Sequence, residues 1–503
     1  MKWAVYNLLF AVVYPFLLPG FLVRMLRRGG YAARFADRFA LYPNGLFPSP
    51  LQTSKHPNIQ TSKPPNPQTP KPSPIWIHAV SVGEVQVAGQ LMREWRAVEP
   101  SVRFCFSTTS STGWKMAERE VGLNDTIIYN PLDFPNFVKS ALKTVRPRAV
   151  VLTESEIWPS FIRQAKKQDI PLFLVNARVS DRSAPRYRFA RFFFKDVFSC
   201  FAKIFAQSDL DKERLVAAGA PASTVAVTGS FKFDVAHRNP AKEAELRAWL
   251  AAHGVADEAR ILLGGSTWPG EDEALLGIYK RLLAKGAGEN DGREGQKAAS
   301  EATRPLVLVL APRHFEKAAA VEANILKFGF SCIRRSKNPI PQPPNAPTSK
   351  RPNAPTPKHP NIQTPKLPNS LPPVFLADTT GELMGLYGIS DVVFVGKSLC
   401  AHGSQNMIEP CLCGKPTFVG PYTENFRPVM SDLLAADAIR QVKDAAELEK
   451  GIGACLEVGG LAVLDLRRSG SLADRELGTR AKAAVERRRG VVARCVAEIR
   501  ERL

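Results

Sequence analysis

The chain has 503 residues, 45% of them hydrophobic and 23% charged, so it is long enough for two globular domains and too apolar to be a disordered protein. Its formal net charge of +21 would suggest a nucleic-acid partner, but eight of its cationic residues lie in two Pro-rich tracts that contain no acid. Neither an RNA-recognition aromatic pattern nor a zinc-finger spacing occurs, and we expect no nucleic-acid partner.

The first predicted element is an apolar segment, Trp3 to Val23, which is about as long as a bilayer is thick. Pro15 and Pro19 weaken it as a straight helix, and the absence of a small-residue cleavage site argues against a signal peptide. Arginines follow directly, which by the positive-inside rule keeps the body of the protein on the cytoplasmic side. We therefore expect residues 1–25 to be a membrane anchor that either spans the bilayer or lies on it.

Short apolar runs such as "PIWIHAVS" and "RAVVLTES" alternate with amphipathic helical patterns along the rest of the chain. Strands that are apolar on both faces and are separated by helices predict parallel sheets covered on both sides. The pattern occurs twice and predicts two Rossmann-like α/β domains, at 26–240 and 241–503. Three polar stretches, at 51–73, 286–304 and 337–372, cannot bury enough apolar surface to fold, and we expect them to be disordered inserts without a catalytic role.

Acidic residues follow two predicted strands of the first domain. Glu84 comes after "PIWIHAVS", and Glu154 and Glu156 come after "RAVVLTES". Ligands of parallel α/β sheets bind at the carboxyl ends of the strands, so these carboxylates are candidates for a site. Glu84 has a second interpretation, as a helix-start acid that the helix dipole favours. Capping explains a single acid better than it explains three acids at one sheet edge.

Three loops of the second domain have the composition of a nucleotide pocket. In "LAPRHFEK", Arg313 and His314 stand between a strand and a helix, where a phosphate meets helix N–H donors and a guanidinium. In "DTTGELMGLYG", Thr380, Gly381 and Glu382 also stand at a helix start. "GGSTWPGEDE" is a third loop of the same kind. Each loop alone is a weak signal, and together they predict a nucleotide site.

These motifs resemble, in order and spacing, those of the 3-deoxy-D-manno-octulosonic acid (Kdo) transferases of lipopolysaccharide assembly. The similar segments are "AVSVGEV", "TESEIWPS", "NARVSDRS", "VTGSFKFD", "GSTWPGEDE", "APRHFEK", "DTTGELMGLYGISDVVFVGKSL" and "NMIEP". The resemblance implies a GT-B fold, in which two Rossmann-like domains flank an interdomain cleft. It also implies transfer of Kdo from CMP-Kdo to the lipid A precursor lipid IVA on the cytoplasmic face of the inner membrane. Attack opposite the leaving group would invert the anomeric centre. No DxD-type carboxylate pair occurs in a metal-binding context, so we expect transfer without a metal or a cofactor.

The resemblance carries roles over to individual positions. It implies that Glu84 is the general base and that Glu156 and Lys232 stabilise the transition state. It implies a CMP site formed by Pro312, Arg313, Thr380, Gly381, Glu382, Asn406, Met407, Ile408 and Glu409. There the Glu409 carboxylate would accept hydrogen bonds from the ribose hydroxyls, and N–H groups of the Gly403–Asn406 turn would approach the phosphate. Gln405 stands where the family usually has His.

Two questions stay open at this stage. Arg178 and Arg182 in "NARVSDRS" either contact phosphates of the acceptor or merely solvate a loop. An alternative function in the same fold is a nucleotide-sugar enzyme that transfers nothing, such as an epimerase, although a soluble sugar nucleotide needs no membrane anchor. A basic membrane-bound scaffold with an inactive site, a different class of protein, would not need all the acidic and basic site residues to be in place.

Overall fold

The structure is a computed structural model that describes residues 2–28, 32–47, 73–288, 304–340, 371–456 and 476–503. The chain divides into two compact units. The first comprises Met1–Val235 and Arg488–Leu503, and the second comprises Ala236–Arg487. Most of each predicted insert, at 51–73, 286–304 and 337–372, lies outside the described residues.

The first unit is built on a seven-stranded sheet. Its strands are β1 (Ile75–His78), β2 (Phe104–Thr108), β3 (Thr126–Tyr129), β4 (Ala149–Thr153), β5 (Leu172–Ala177), β6 (Lys203–Ala206) and β7 (Val225–Val227). They lie in the order β3-β2-β1-β4-β5-β6-β7, and every neighbouring pair is parallel. This is the predicted parallel α/β arrangement.

Helices cover both faces of this sheet. They are α1 (Lys2–Arg28), α2 (Val82–Val98), α3 (Ser111–Ala117), α4 (Pro135–Val145), α5 (Pro159–Lys167), α6 (Ala184–Phe189), α7 (Arg191–Phe198), α8 (Asp209–Ala217) and α9 (Lys232–Val235), with 3₁₀ helices at Ala32–Phe39 and Ala222–Thr224. Alternate strand residues enter two separate cores: Trp76 and Leu152 pack on one face, and Ile77 and Val151 pack on the other. Because both faces are apolar, the strands read as continuous hydrophobic runs in the sequence.

Most of the predicted anchor, residues 1–25, belongs to helix α1. Its Tyr6 hydroxyl donates to the Asp133 carboxylate at 2.8 Å, and Asn7 accepts a hydrogen bond from Ser160 at 2.9 Å. Phe10 and Tyr14 pack edge-on against Phe134. One face of α1 therefore lies on the first unit. In the described part of the chain, we find no helix with the length and apolarity needed to cross a bilayer.

The second unit repeats the architecture with its own seven-stranded sheet. Its strands are β8 (Arg260–Thr267), β9 (Leu306–Pro312), β10 (Cys332–Arg334), β11 (Val374–Leu376), β12 (Val392–Val395), β13 (Thr417–Val419) and β14 (Arg440–Gln441). The order is β10-β11-β9-β8-β12-β13-β14, again with parallel neighbours. Two parallel-sheet α/β units confirm the coarse fold class, and the interdomain cleft stays a prediction.

The helices of the second unit are α10 (Pro240–Ala252), α11 (Glu271–Gly288), α12 (Ala318–Lys327), α13 (Leu383–Ile389), α14 (Ile408–Leu412), α15 (Arg427–Ala435), α16 (Ala445–Leu456) and α17 (Leu477–Arg487), with 3₁₀ helices at Phe315–Lys317 and Glu424–Phe426.

The predicted start of the insert 337–372 lies too early in the chain. Lys337 pairs with Glu322, and the Asn338 carbonyl accepts the Trp249 indole N–H at 2.8 Å, so both residues belong to the folded unit.

The predicted second domain, 241–503, is wrong at its C-terminal end. The last helix, α18 (Val491–Arg500), belongs to the first unit, where its residues Val492, Val496 and Ile499 are buried in the core that includes α2. The Asp234 carboxylate accepts the Gly490 N–H at 2.6 Å and the Val492 N–H at 2.8 Å, which caps the helix N-terminus. The pattern of α18 predicts an amphipathic helix but not its partner, which lies more than 250 residues away in the sequence.

Candidate functional site

The acids predicted for the first unit lie at the point where its strand order changes direction. Strands β1 and β4 are neighbours, but the chain leaves them towards opposite sides of the sheet, which opens a crevice at their carboxyl ends. Glu84 lies in the first turn of α2, directly after β1, and Glu154 and Glu156 directly follow β4. The topology therefore brings the three carboxylates to one place.

Glu84 is buried and held on three sides. Its carboxylate accepts hydrogen bonds from the Val80 N–H at 3.0 Å, the Ser81 hydroxyl at 2.8 Å and the Thr153 hydroxyl at 3.2 Å. The Ser81 oxygen accepts the Glu84 N–H in return, so Ser81 caps the N-terminus of α2. Glu84 thus performs the helix-start role, and the contact with Thr153 at the end of β4 also fixes it at the crevice.

A cation and two carboxylates are electrostatically coupled beside Glu84. Burial raises the pKa of Glu154. The cations Arg178 and Lys232 oppose that shift, and the Glu84 and Glu156 carboxylates add to it. Burial lowers the pKa of Lys232, the Glu154 carboxylate opposes that shift, and Arg178 adds to it. Arg178 forms an ion pair with Glu154 at 3.3 Å. The predicted residues Glu84, Glu156, Lys232 and Arg178 therefore belong to one cluster, with Glu154 at its centre.

Asn176, which the sequence did not single out, holds this cluster together. It is fully buried at the end of β5, its amide N–H donates to Glu154 at 3.3 Å, and its amide oxygen accepts the Phe231 N–H at 3.0 Å. Because Phe231 directly precedes Lys232, the Asn176 amide fixes both the Glu154 carboxylate and the backbone next to Lys232. A lone Asn inside an apolar strand was the available signal.

Glu156 and Arg182 have contrasting surroundings. The Glu156 carboxylate accepts the Trp158 indole N–H at 2.9 Å, and its nearer oxygen lies 3.6 Å from the His78 ring. Arg182 is exposed on the loop before α6, and its side chain has no contact with the cluster among the described residues. The structure thus gathers Arg178 but not Arg182.

The second unit has a pocket of about 190 Å³ at the carboxyl ends of β9 and β11. Five predicted CMP-site residues line it: Pro312, Arg313, Thr380, Gly381 and Glu382. Apolar side chains from α13 form another wall. A small pocket with an exposed arginine and a polar turn suits a nucleotide base or ribose next to a phosphate.

The Glu382 carboxylate already bonds to other side chains of the second unit. Its carboxylate accepts the Arg335 guanidinium N–H at 3.1 Å and the Thr379 hydroxyl, and Arg335 also pairs with Glu245. The ion pair is buried, since Arg335 is 9% exposed and Glu382 is 7% exposed. Glu382 therefore shapes the pocket wall, with the backbone of its turn left to meet a ligand.

The turn at 403–406 departs from the prediction. The Ser404 N–H donates to the Lys397 carbonyl at 2.6 Å, and the Gln405 N–H donates to the Gly396 carbonyl at 3.1 Å. These two N–H groups hold the turn onto the end of β12 and are not free to bind a phosphate, so the predicted phosphate contact is wrong for both. Gly403 has φ 117°, which requires glycine.

Beyond this turn, the remaining predicted CMP residues do not line the pocket. Met407 and Ile408 are fully buried, so their side chains are core residues. Asn406 donates from its amide to the Glu409 carboxylate at 2.9 Å, and burial raises the pKa of Glu409. Burial raises the pKa of Tyr387, and the Glu409 carboxylate adds to that shift; Tyr387 belongs to α13, the helix that lines the pocket.

A buried carboxylate that the sequence did not single out organises the other side of this edge. Glu271, at the start of α11, is completely buried and accepts N–H groups from Trp268 at 2.9 Å, from Lys397 at 2.8 Å and from Ser398 at 2.9 Å. The Lys397 ammonium lies 4.9 Å from the Trp268 ring centre. Glu271 thus fastens the loop after β8 to the loop after β12 at the direction change of the second sheet.

Left-handed backbone conformations occur at both edges. Glu154 (φ 50°) and Asn176 (φ 53°) have them in the first unit, and Ser266 (φ 53°), Lys397 (φ 57°) and Ser404 (φ 62°) have them in the second. Such conformations are costly in residues other than glycine and tend to occur at functional sites. Their positions support both strand-end edges as candidate sites.

Asp272, next to Glu271, gives a pH-dependent test of this edge. Burial raises its pKa to about 7, well above the ~3.9 of an unfolded chain. The folded protein therefore binds this proton more tightly, and its stability should fall as pH rises from about 4 to about 7, by at most ~1.4 kcal/mol per pH unit. In Asp272→Asn this loss should be absent, so urea unfolding should show a variant advantage that grows over that range and then levels. An advantage that does not change with pH would contradict the burial argument.

Comparisons with known proteins agree with this geometry. Residues 33–235 match the family model described as 3-deoxy-D-manno-octulosonic-acid transferase (kdotransferase). A 3-deoxy-D-manno-octulosonic acid transferase of Haemophilus influenzae is 29% identical over 453 residues, covering 90% of each chain. The enzyme of the same name from Bordetella pertussis is 32% identical over 378 residues, covering 74% of this chain and 77% of its own.

Among solved structures, HepE from Anabaena in complex with UDP superposes with a TM-score of 0.51 at 12% identity, covering 86% of this chain and all of its own. A glycosyltransferase from Rickettsia africae superposes with a TM-score of 0.50 at 14% identity, covering 84% of this chain and 97% of its own. At these identities the likeness concerns the fold alone. The family is shown by sequence, since the Bordetella pertussis enzyme is 32% identical over 74% of this chain: the chain belongs to the family of 3-deoxy-D-manno-octulosonic acid transferases.

Proposed function

We propose that this protein transfers Kdo from CMP-Kdo to the lipid A precursor lipid IVA. The first unit would bind the acceptor, and the second would bind the donor. The observation that carries the proposal is the coupled cluster around Glu154, where half-buried Lys232 and Arg178 face a carboxylate that Glu84 and Glu156 also influence, at the edge that the family motifs predict. Incubating the protein with lipid IVA and CMP-Kdo tests it by mass spectrometry: a Kdo adduct is expected. An epimerase would change the donor and leave the lipid unmodified.

In the proposed mechanism, an acceptor hydroxyl attacks the anomeric carbon of Kdo while the Glu84 carboxylate takes the hydroxyl proton. The bond between that carbon and the phosphate oxygen breaks, and CMP leaves with the bonding electrons. Attack opposite the leaving group inverts the anomeric centre. Lys232 and Glu156 would stabilise the charges that develop near the reacting carbon, and Arg313 would stabilise the phosphate.

The contacts of Glu84 suit a fixed base. Three donors hold the carboxylate in one orientation, so little reorganisation is needed when the acceptor hydroxyl arrives. Arg178 pairs with Glu154 and is 45% exposed, which leaves part of its guanidinium available to a phosphate of lipid IVA. Arg182, exposed on the following loop, would solvate that loop or meet the same acceptor.

Glu84→Gln should lower the transfer rate roughly 10²- to 10⁴-fold, the usual worth of a general base, because the amide cannot take the proton. CMP affinity, measured by calorimetry, should stay within about twofold. Ser81→Ala is the matched control: it removes the helix cap and one donor to the Glu84 carboxylate but keeps the base, so it should cost about 1 kcal/mol of stability and lower transfer far less than Glu84→Gln does. Equal losses of transfer in the two variants would reduce Glu84 to a helix cap.

Glu409→Ala should weaken CMP binding by roughly 1.5–3 kcal/mol, the range for hydrogen bonds to a charged group, if the carboxylate holds the ribose hydroxyls. The 2′,3′-dideoxy analogue of CMP should then bind wild type and variant about equally. Tyr387→Phe, which changes a buried neighbour of Glu409 without touching ribose, should leave CMP affinity within about twofold. A variant that still prefers CMP over the analogue would remove the ribose assignment.

The acceptor is a lipid, and the first unit has a surface that suits an anionic membrane. We define the lipid-facing surface as the outer face of α1 with Phe189 and Phe192 of α6 and α7. Phe189 is 88% exposed and Phe192 is 65% exposed, and Phe16 of α1 is 80% exposed. Lys2 at the start of α1 donates to the Phe192 carbonyl at 2.9 Å, so the two parts adjoin. Exposed aromatic side chains embed at the bilayer interface.

Charge favours the same partner. Arg186, Arg188 and Arg191 are exposed on α6 and α7, beside the two phenylalanines. The acid of α7, Asp196, is paired with Lys2 at 3.0 Å. The surface thus combines apolar groups with exposed arginines that form no ion pair in the part of the chain that the structure describes, the combination that attracts anionic headgroups. Localisation at the inner membrane would follow from this contact.

Vesicle sedimentation tests the lipid-facing surface without any donor. Binding to phosphatidylglycerol vesicles should fall at least tenfold in the double variant Phe189→Ser and Phe192→Ser, and roughly fivefold for each of Arg186→Gln and Arg188→Gln. Leu123→Ser and Arg119→Gln are the controls, because both residues are exposed elsewhere in the first unit. Unchanged vesicle binding together with a change from dimer to monomer would show instead that a second copy covers this surface.

A further inference from the structure

A buried histidine below the acidic cluster has a ring nitrogen without a partner. His78, the last residue of β1, is completely buried. Its Nδ1 lies 2.9 Å from the Ser107 hydroxyl and 3.1 Å from the Ser107 carbonyl. Its Nε2 has no hydrogen-bond partner among the described residues and lies 3.6 Å from the Glu156 carboxylate. A buried polar atom left unpaired is costly and calls for an explanation.

The neighbouring hydrogen bonds indicate where the ring proton lies. The Trp76 indole N–H donates to the Ser107 oxygen at 2.8 Å, so the hydroxyl proton of Ser107 must point elsewhere. Its acceptors are His78 Nδ1 at 2.9 Å, the Asn130 amide oxygen at 3.3 Å and the Ile77 carbonyl at 3.4 Å. Nδ1 is the nearest of these acceptors, and the Ser107 carbonyl 3.1 Å from it already accepts the Ala79 N–H at 3.1 Å, so we assign the proton of the neutral ring to Nε2.

That proton faces Glu156. At 3.6 Å the contact is too long for a hydrogen bond, but a shift of about half an ångström closes it, and bonds of this kind often tighten when substrate binds. The same Glu156 oxygen already accepts the Trp158 indole N–H at 2.9 Å, and the other oxygen has no hydrogen-bond partner among the described residues. Two donors on one oxygen would leave the second oxygen free for the reacting centre.

We propose that His78 is a positioning residue for Glu156: its Nε2–H donates to the carboxylate in the substrate-bound enzyme and fixes the orientation of the free oxygen. The chain of donors runs from Trp76 through Ser107 to His78 and ends at Glu156. The proposal rests on the proposed function, because it gives Glu156 its role in transfer. It adds a residue that does not itself touch substrate.

Two substitutions of His78 distinguish the loss of its Nε2–H donor from the loss of its side-chain volume. A glutamine amide can reach the position of Nε2, so His78→Gln should keep kcat within about fivefold of wild type. His78→Leu removes the hydrogen-bond donor and should lower kcat roughly 10- to 100-fold, with the KM values for CMP-Kdo and lipid IVA within about twofold.

In the Glu156→Gln background, the same His78→Leu change should lower kcat less than twofold further, because the two residues act as a unit. Trp95→Phe is the control: it removes an indole hydrogen bond to Glu99 in the other core of the first unit, outside this chain of donors, and should lower the melting temperature while kcat stays nearly unchanged.

Nitrogen-15 NMR of the histidine ring gives a readout that does not depend on transfer. We expect a protonated Nε2 whose resonance shifts in Glu156→Gln. A neutral ring protonated only on Nδ1 would overturn the proposal, as would multiplicative losses of kcat in the double variant. If wild-type protein forms no Kdo adduct, the proposed function fails, and the NMR result still decides whether His78 donates to Glu156.

Discussion

The common direction of the strands is the constraint on which both units depend. Within each sheet all neighbouring strands are parallel, so their carboxyl ends lie along one edge. The strands fill both cores with apolar side chains, and the polar side chains are left to the loops at that edge. In the first unit the edge gathers Glu84, Glu154 and Lys232. In the second unit it gathers the turns that line the pocket.

Burial and mutual attraction oppose each other in the first of these edges. Burial favours the neutral forms of both Glu154 and Lys232, and their attraction favours the charged forms. The charge state of the cluster therefore depends on what occupies the crevice. An anionic group bound there would favour the cationic form of Lys232, whereas an empty, hydrated crevice weakens the attraction.

Local sequence patterns were sufficient for some parts of the structure. The apolar strands, the helix-start position of Glu84, and the pocket-lining turn at Thr380 and Gly381 all follow from residues within a few positions. The predicted phosphate contact of Ser404 and Gln405 was wrong because their N–H groups bond to carbonyls at the end of β12, a tertiary detail that composition does not reveal.

Long-range partners were beyond the reach of the sequence. Glu271 meets N–H groups more than 120 residues away, and Asn176 reaches Phe231 across 55 residues. In the sequence, Glu271 and Asn176 are two polar residues among many, and only the folded chain shows which N–H groups bond to them. The same holds for His78, which looks like part of an apolar strand until its distance to Glu156 is known.

Helix α18 has a consequence for how the protein is made. The first unit is discontinuous, since it needs the final segment Arg488–Leu503 in addition to residues up to Val235. On the ribosome, the second unit is synthesised between these two pieces, so the first unit cannot be completed until Arg488–Leu503 has been made. Asp234 binds the N-terminus of α18 two residues after Lys232. The backbone beside Lys232 therefore gains these contacts only after the second unit has been synthesised.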